Sequence, residues 1–339
     1  MDGMQHALPP ADTASFRGAA QSTLKASIDC VGIGLHSGRR VRMVLRPAAP
    51  YHGIVFRRAD LGRDIPARFD LVADTKLATV LADPQDPSLR IGTIEHVMAA
   101  LSGCGIDNAL IEVDGPELPA LDGSAAHLVF LIDCAGIVAQ DAARRTIEVV
   151  RSVRVSDGDA FAELGPAPRA HSGSPLATHA GAAHAGATQA GLHLTMSIAF
   201  DAPAIGQQAL SLCLTPKSFR RELSRARTFA LAEDIDRLRA AGMARGGSLD
   251  NAVVVDAARV LNPGGLRMHD EFVRHKLLDA VGDLALAGAS LSASFTAHRS
   301  GHGLNNRLLR ALMANAAAWR VVTPMVNDGP VAGAVPVAA

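Results

Sequence analysis

The chain has 339 residues, enough for two domains of ordinary size. It is 48% hydrophobic and 19% charged, and 33 Lys and Arg balance 33 Asp and Glu, which supports a sizeable core and argues against a general nucleic-acid binder. The four cysteines (Cys30, Cys104, Cys134, Cys213) show no CxxC spacing, which argues against a disulfide framework or a thiolate metal cluster and suits a reducing cytosol. Residues 1–20 read as a disordered leader. Met1 to Phe16 has no apolar run of the secretory kind, and no stretch of about 18 uninterrupted apolar residues follows. The expected location is the cytoplasm, with at most peripheral membrane proximity.

From Thr23 to Leu45 the pattern alternates as β-structure, with Gly32-Ile33-Gly34-Leu35-His36-Ser37-Gly38 as a turn between strands. Gly53 to Arg58 is a short strand. Thr93 is a plausible N-cap for a helix through Ala100 that stops at Gly103 or Gly105. Asn108 to Val113 reads as a strand, and Asp122-Gly123-Ser124 opens a helix to about Asp133, stopped by Gly136. Residues 21–143 make a first α+β domain.

A second α+β domain spans 144–325, followed by a flexible tail over 326–339. Thr146 to Val155 alternates as a strand, and Asp157-Gly158-Asp159 signals a turn. The segment 166–191 is low in complexity, with Ala, Gly, His, Ser and Pro and no apolar period, and reads as a surface insertion. Its His171, His179 and His184 are irregularly spaced. His193 to Phe200 is a strand, Pro216 to Arg227 and Ile235 to Ala241 are helical, and Ala252 to Val255 is a strand. Asp270 to Ala287 reads as a long amphipathic helix, Ala289 to Ala297 as a strand and Asn305 to Ala318 as a helix. Strands precede helices in both halves, which hints at a duplicated topology without a visible sequence repeat. The fold class is α+β, with sheets layered against helices in each half.

Three distant segments carry groups with metal chemistry. His275 and Asp279 stand at i and i+4, one turn apart on one helix face with Phe272 and Gly282. Such a pair is also common as a plain surface contact. Adding His96, from Thr93-Ile94-Glu95-His96, gives three N/O ligands with an open fourth position, the arrangement of a catalytic zinc. The same donors suit ferrous iron. Glu95, beside a ligand, is a candidate general base, or simply an acidic residue in a first helical turn. His302, on the glycine-flanked loop Ser300-Gly301-His302-Gly303, is a candidate general acid. There is no HExxH, so the metalloprotease helix is absent.

A family resemblance rests on longer motifs. They are Gly32 to Gly38, Thr93-Ile94-Glu95-His96, Gly105-Ile106-Asp107-Asn108 and Leu121-Asp122-Gly123-Ser124-Ala125. Further along come Ser224-Arg225-Ala226-Arg227-Thr228-Phe229, Asp270 to Lys276, Leu278 to Asp283 and Ser300 to Asn306. From about Gln21 to Val322 the chain resembles the zinc-dependent UDP-3-O-acyl-N-acetylglucosamine deacetylases of lipid A biosynthesis in Gram-negative bacteria. The resemblance implies two α+β domains of similar topology with the active site at their junction.

It also implies roles. Zinc would be held by His96, His275 and Asp279, activating a water and polarising an amide carbonyl. Glu95 matches the general base, and His302 the cation that protonates the leaving amine. Asp283 matches the carboxylate that orients that histidine, and Thr228 a hydroxyl donor to the oxyanion. Lys276 and the basic position of Arg299 correspond to contacts with the substrate's diphosphate. Phe200 matches an aromatic that stacks on uracil, with Ala199 where an acidic neighbour is expected, and Phe229 lies among the substrate-binding residues. A βαβ insertion over about 231–255 would form an apolar slot for the acyl chain, with Leu231, Ile235, Ala244, Gly247 and Ser248 as candidate lining. The implied partner is a UDP-linked acylated N-acetylglucosamine, met by a monomer. Two rivals are a zinc amidohydrolase of another N-acyl sugar and a catalytically silent nucleotide-sugar or acyl-binding relative.

Overall fold

A computed structural model describes residues 20–168 and 191–323. The first half runs β1 (Ala20–Leu24), β2 (Ile28–Ile33), β3 (Arg40–Pro47), β4 (Ile54–Arg58), β5 (Arg63–Pro66), β6 (Val72–Asp74), β7 (Val80–Ala82), β8 (Arg90–Ile91), α1 (Glu95–Cys104), β9 (Ala109–Val113), α2 (Ala126–Ala135) and β10 (Ile137–Ala143). The second half runs β11 (Thr146–Val149), β12 (Val153–Asp157), β13 (Ala160–Gly165), β14 (Leu192–Ala199), β15 (Gln207–Cys213), α3 (Pro216–Ser218), β16 (Phe229–Leu231), α4 (Ala232–Ala240), β17 (Val253–Asp256), β18 (Arg259–Val260), α5 (Glu271–Ala285), β19 (Ser290–His298), α6 (His302–Ala314) and β20 (Trp319–Val322).

The two halves repeat one topology. The first sheet has the order β2-β3-β9-β4-β5, with β9 antiparallel to β3 and parallel to β4. The second contains β12-β13-β19-β14-β15, with β19 antiparallel to β13 and parallel to β14. Each half places a three-stranded sheet before its buried helix, β6-β7-β8 and β16-β17-β18. Each also pairs its first strand antiparallel with its last, β1 with β10 and β11 with β20. The duplication hinted at by element order is therefore present, although the side chains filling it differ. A sheet needs only alternation of apolar residues, as in β3, where Val41, Met43 and Leu45 are buried and their neighbours Arg40, Arg42, Val44 and Arg46 are not.

The pseudo-equivalent helices α1 and α5 pack against each other at the junction. Almost every residue of α1 is buried, and so are most of α5. The long helix expected over 270–287 is present as α5, which is enclosed on β14, β15 and α6, with its polar groups forming an inward stripe. A glycine makes the approach possible. Any Cβ at Gly282 would overlap the backbone carbonyl of Glu95. One apolar cluster runs through both halves, joining Val97 and Met98 to Leu277, Leu278 and Val281.

Other local expectations change for identifiable reasons. Thr93 is not the N-cap of α1; that position is Ile94, and Thr93 sits in the left-handed region (φ 59°) with its hydroxyl on Glu117 at 3.3 Å. The helix expected over 216–227 ends at Leu223 in a π-helical turn, because Arg227 turns onto Glu271. The helix expected through Ala318 ends at Ala314, since Trp319–Val322 pairs with β11. Strands β10 and β15 carry no strong apolar alternation and are seen only in the structure. The leader, nearly all of the 166–191 insertion with its three histidines, and the tail lie outside the described residues.

Candidate active site

The site is assembled where α1, α5 and α6 meet. On α5, His275, Asp279 and Asp283 follow one another at intervals of four residues and form the inward polar stripe. On α1, Glu95 and His96 are the first two helical residues, so both side chains emerge at the junction. His302 is also helical. It is the first residue of α6, after the cap residue Gly301, and not part of a loop as the sequence suggests.

His96, His275 and Asp279 are all buried, and one nitrogen or oxygen from each lies within 4.8 Å of the others. Asp279 Oδ1 stands 3.4 Å from His275 Nε2 and 3.6 Å from His96 Nε2, too far for good hydrogen bonds. That oxygen is buried and has no hydrogen-bond partner. His275 Nδ1 lies 3.0 Å from the carbonyl of Ala226; as its donor it leaves the Nε2 lone pair facing the cluster. Two imidazole nitrogens and an orphaned carboxylate oxygen converging in a dry pocket fit a divalent metal such as zinc.

The electrostatics agree with that division of labour. Burial pushes His275 down to about 4, so its ring is neutral. Burial would raise the Asp279 carboxyl, but the neighbouring His275, His96, His302 and Lys276 together hold it below the usual carboxylate range. Burial lifts Glu95 above its ordinary value, against the pull of His302 and His96. For His302 burial pulls down, but Asp283, by charge and hydrogen bond, wins with help from Glu95 and Asp279, and the imidazole rises to about 9.

A polar chain fixes the second group of residues. His302 Nδ1 meets Asp283 Oδ2 at 2.9 Å, and Asn305 Nδ2 donates to the same oxygen at 2.8 Å. Ser300 Oγ donates to Asn305 Oδ1 at 2.8 Å, orienting that amide. On the other side of Asp283, Thr79 Oγ1 donates to Oδ1 at 2.5 Å, and Thr79 N donates to Glu95 Oε2 at 2.9 Å. Sequence reasoning gave no role to Thr79 or Asn305. Their residue types are unremarkable, and only the folded chain brings them to Asp283.

The segment 224–229 is anchored by a buried ion pair. Arg227 Nε lies 2.8 Å from Glu271 Oε1, and Glu271 is fully buried at the start of α5. This fixes the Ala226 carbonyl against His275 and sets Thr228 beside the first half, where Thr228 N donates to the Gly123 carbonyl at 2.8 Å. The Thr228 hydroxyl is half-buried and makes no hydrogen bond among the described residues. Phe229 joins an aromatic cluster, with ring centroids 5.6 Å from Phe200, 5.0 Å from Phe272 and 6.4 Å from His275.

A groove of about 660 Å³ lies beside the site, with Phe200, Leu231, Lys276, Arg299, Ser300 and Gly301 among its lining residues. Gly301 directly precedes His302, so the groove reaches the polar chain. Lys276 has no ion-pair partner among the described residues, whereas Arg299 is paired with Asp159 at 2.8 Å near the surface. The inserted β16-α4-β17 unit is a true βαβ, since β16 and β17 run parallel. Ile235, Ala244, Gly247 and Ser248 do not line the groove. Ala244 and Gly247 belong to a turn that packs on the 34–38 loop, with Arg245 N donating to the His36 carbonyl and Gly246 N to that of Leu35.

That loop has its own anchor, which the sequence did not disclose. Glu117 is buried and accepts from His36 N at 2.7 Å, Ser37 N at 2.8 Å and Thr93 Oγ1 at 3.3 Å. It ties the glycine-rich loop to the start of α1. No helix among the described residues is long and apolar enough to cross a membrane. A family model described as UDP-3-O-acyl N-acetylglycosamine deacetylase matches residues 21–314, well over half of the chain.

Proposed function

The chain belongs to the UDP-3-O-acyl N-acetylglycosamine deacetylase family, and from that premise we propose that it hydrolyses the N-acetyl group of UDP-3-O-(3-hydroxyacyl)-N-acetylglucosamine with zinc, the committed step of lipid A biosynthesis. The observation that carries this reading is the junction itself. Three buried donor atoms converge within 4.8 Å, next to a buried carboxylate and a histidine paired with Asp283. His96, His275 and Asp279 would hold the zinc. When bound it supplies Lewis acidity, lowering the pKa of a water and drawing electron density from the carbonyl.

The chain's own groups do the proton chemistry. Glu95 takes a proton from the attacking water as the water oxygen bonds to the acetamide carbon. A carboxyl raised by burial is a better base for this than a surface glutamate. The Thr228 hydroxyl donates to the oxyanion that forms. His302 carries its second proton on Nε2, because Nδ1 is engaged by Asp283. It gives that proton to the amine as the C–N bond breaks, leaving acetate and a UDP-sugar with a free amine.

The groove accounts for the rest of the substrate. Lys276 and Arg299 supply positive charge for a diphosphate, and Phe200 a flat face for the base. Of the β16-α4-β17 unit, Leu231 and Val255 line this groove and are the proposed wall for the acyl chain, whereas Ile235 and the Ala244 to Ser248 turn lie off it.

The test is acetate release from the 3-hydroxymyristoyl substrate, with chelator and with zinc restored. Release that stops on chelation and returns with zinc supports the reading. No release from folded, zinc-loaded protein with this and shorter acyl chains would reject it.

A further inference from the structure

We propose that Thr79 is a positioning residue that holds the general base and the acid's carboxylate in one fixed arrangement; this rests on the roles proposed above for Glu95 and His302. Thr79 is only 1% exposed and lies on the far side of Asp283 from His302. Its hydroxyl donates to Asp283 Oδ1 at 2.5 Å, and its backbone N–H donates to Glu95 Oε2 at 2.9 Å. One residue therefore serves both carboxylates of the proton chemistry.

The remaining donors to Asp283 show why the hydroxyl matters. His302 and Asn305 both meet Oδ2, so Thr79 is the one side-chain donor to Oδ1 among the described residues. Asp283 is 2% exposed, and water cannot readily replace the hydroxyl. A neutral donor reaches each carboxylate without adding the charge that a lysine or arginine in this place would put between them.

The placement is set by the backbone. Thr79 immediately precedes β7 in the small first-half sheet, and β7 pairs with both β6 and β8. Its carbonyl accepts from Ile94 N at 3.3 Å, which ties it to the start of α1. The hydroxyl is delivered to Asp283 across a sequence separation of 204 residues, linking the first half to α5.

Thr79→Val removes the hydroxyl and keeps both the shape and the backbone N–H. Loss of an orienting partner of this kind is expected to lower kcat about 10- to 100-fold, with KM and zinc content little changed. Thr79→Ser keeps both donors and should recover most of the loss. If Thr79 acts through Asp283, adding Thr79→Val to Asp283→Asn costs nothing further. Full additivity, or an unchanged kcat in Thr79→Val while Asp283→Asn is impaired, overturns the proposal. Should the valine variant fold poorly, Thr79→Cys offers similar bulk with a weak donor.

A readout that does not need turnover separates this from the proposed function. In nitrogen-15 spectra of the zinc-loaded protein, the His302 Nδ1 proton should exchange slowly in wild type and Thr79→Ser and rapidly in Thr79→Val. That result in a protein with no deacetylase activity would reject the function and leave the positioning role standing. Equal protection in all three would overturn the positioning role, whatever the activity.

Discussion

Gly282 of α5 lies directly against the backbone carbonyl of Glu95 in α1, and a methyl group there would overlap that oxygen. The contact sets how closely the two helices approach, and therefore the spacing of His96 on one from His275 and Asp279 on the other. Gly282→Ala should push the helices apart. Overpacking of this kind costs about 1–3 kcal/mol, but the metal site should suffer more than the fold. The expected outcome is a modest fall in Tm with a large fall in zinc affinity, read by thermal unfolding and by metal titration. Wild-type zinc affinity in this variant would show that the helix spacing is not what holds the ligands.

The His302–Asp283 pair predicts a pH dependence. Its imidazole rises from the ordinary 6.5 to about 9, so the cation needed as acid persists through neutral pH and is lost above about 9. Turnover should fall on that alkaline side. In Asp283→Asn the carboxylate is gone and only Glu95 and Asp279 oppose burial, so the alkaline limb should move down. Stability follows the same sign. A folded-state pKa above the unfolded one adds stability that is complete below 6.5 and disappears as pH rises through about 9. Tm measured across that window should show wild type losing its advantage over Asp283→Asn. An alkaline limb identical in the two proteins would count against His302 as the acid.

The cluster of His96, His275 and Asp279 was legible in the sequence, while its support was not. His275 and Asp279 disclose themselves by an i,i+4 spacing that any helix converts into adjacency. His96 and Glu95 are conspicuous beside Thr93-Ile94. Thr79, Asn305 and Glu117 are ordinary residue types whose work depends on contacts across tens to hundreds of positions, as between Thr79 and Asp283. The same limit explains the secondary structure. Residues 315–318 look helical by composition, yet β11 claims the segment that follows as β20. Arg299 likewise reads as a free cation, and only the fold brings it to Asp159. Element order hinted at a duplication, but matching strand orders became visible only through β9 and β19, each inserted between strands made long before it.

Removing a ligand and removing the base should give different defects. Asp279→Ala takes away the orphaned buried oxygen that both histidines face, so zinc content and turnover should fall together. Glu95→Ala leaves all three ligands in place. It should bind zinc and lose turnover by roughly 10²- to 10⁴-fold, the usual contribution of a positioned general base. Elemental analysis after gel filtration, paired with acetate release, separates the two. Full zinc in Asp279→Ala would refute its role as a ligand.

Lys276 and Phe200 should govern affinity and not chemistry. Lys276 leaves α5 beside the ligand His275 but points into the groove, where it has no ion-pair partner among the described residues. Phe200 lines the same groove and rests edge-on to Phe229. Lys276→Ala removes a cation from the proposed diphosphate position, and its effect should shrink as salt screens the charge. Phe200→Leu keeps apolar bulk but loses the flat face, so its effect should be insensitive to salt. Stacking on an aromatic is worth about 1–3 kcal/mol per base, so KM should rise at least several-fold. Both variants should bind UDP more weakly by calorimetry, with zinc content intact. Unchanged UDP binding in both would place the nucleotide outside this groove.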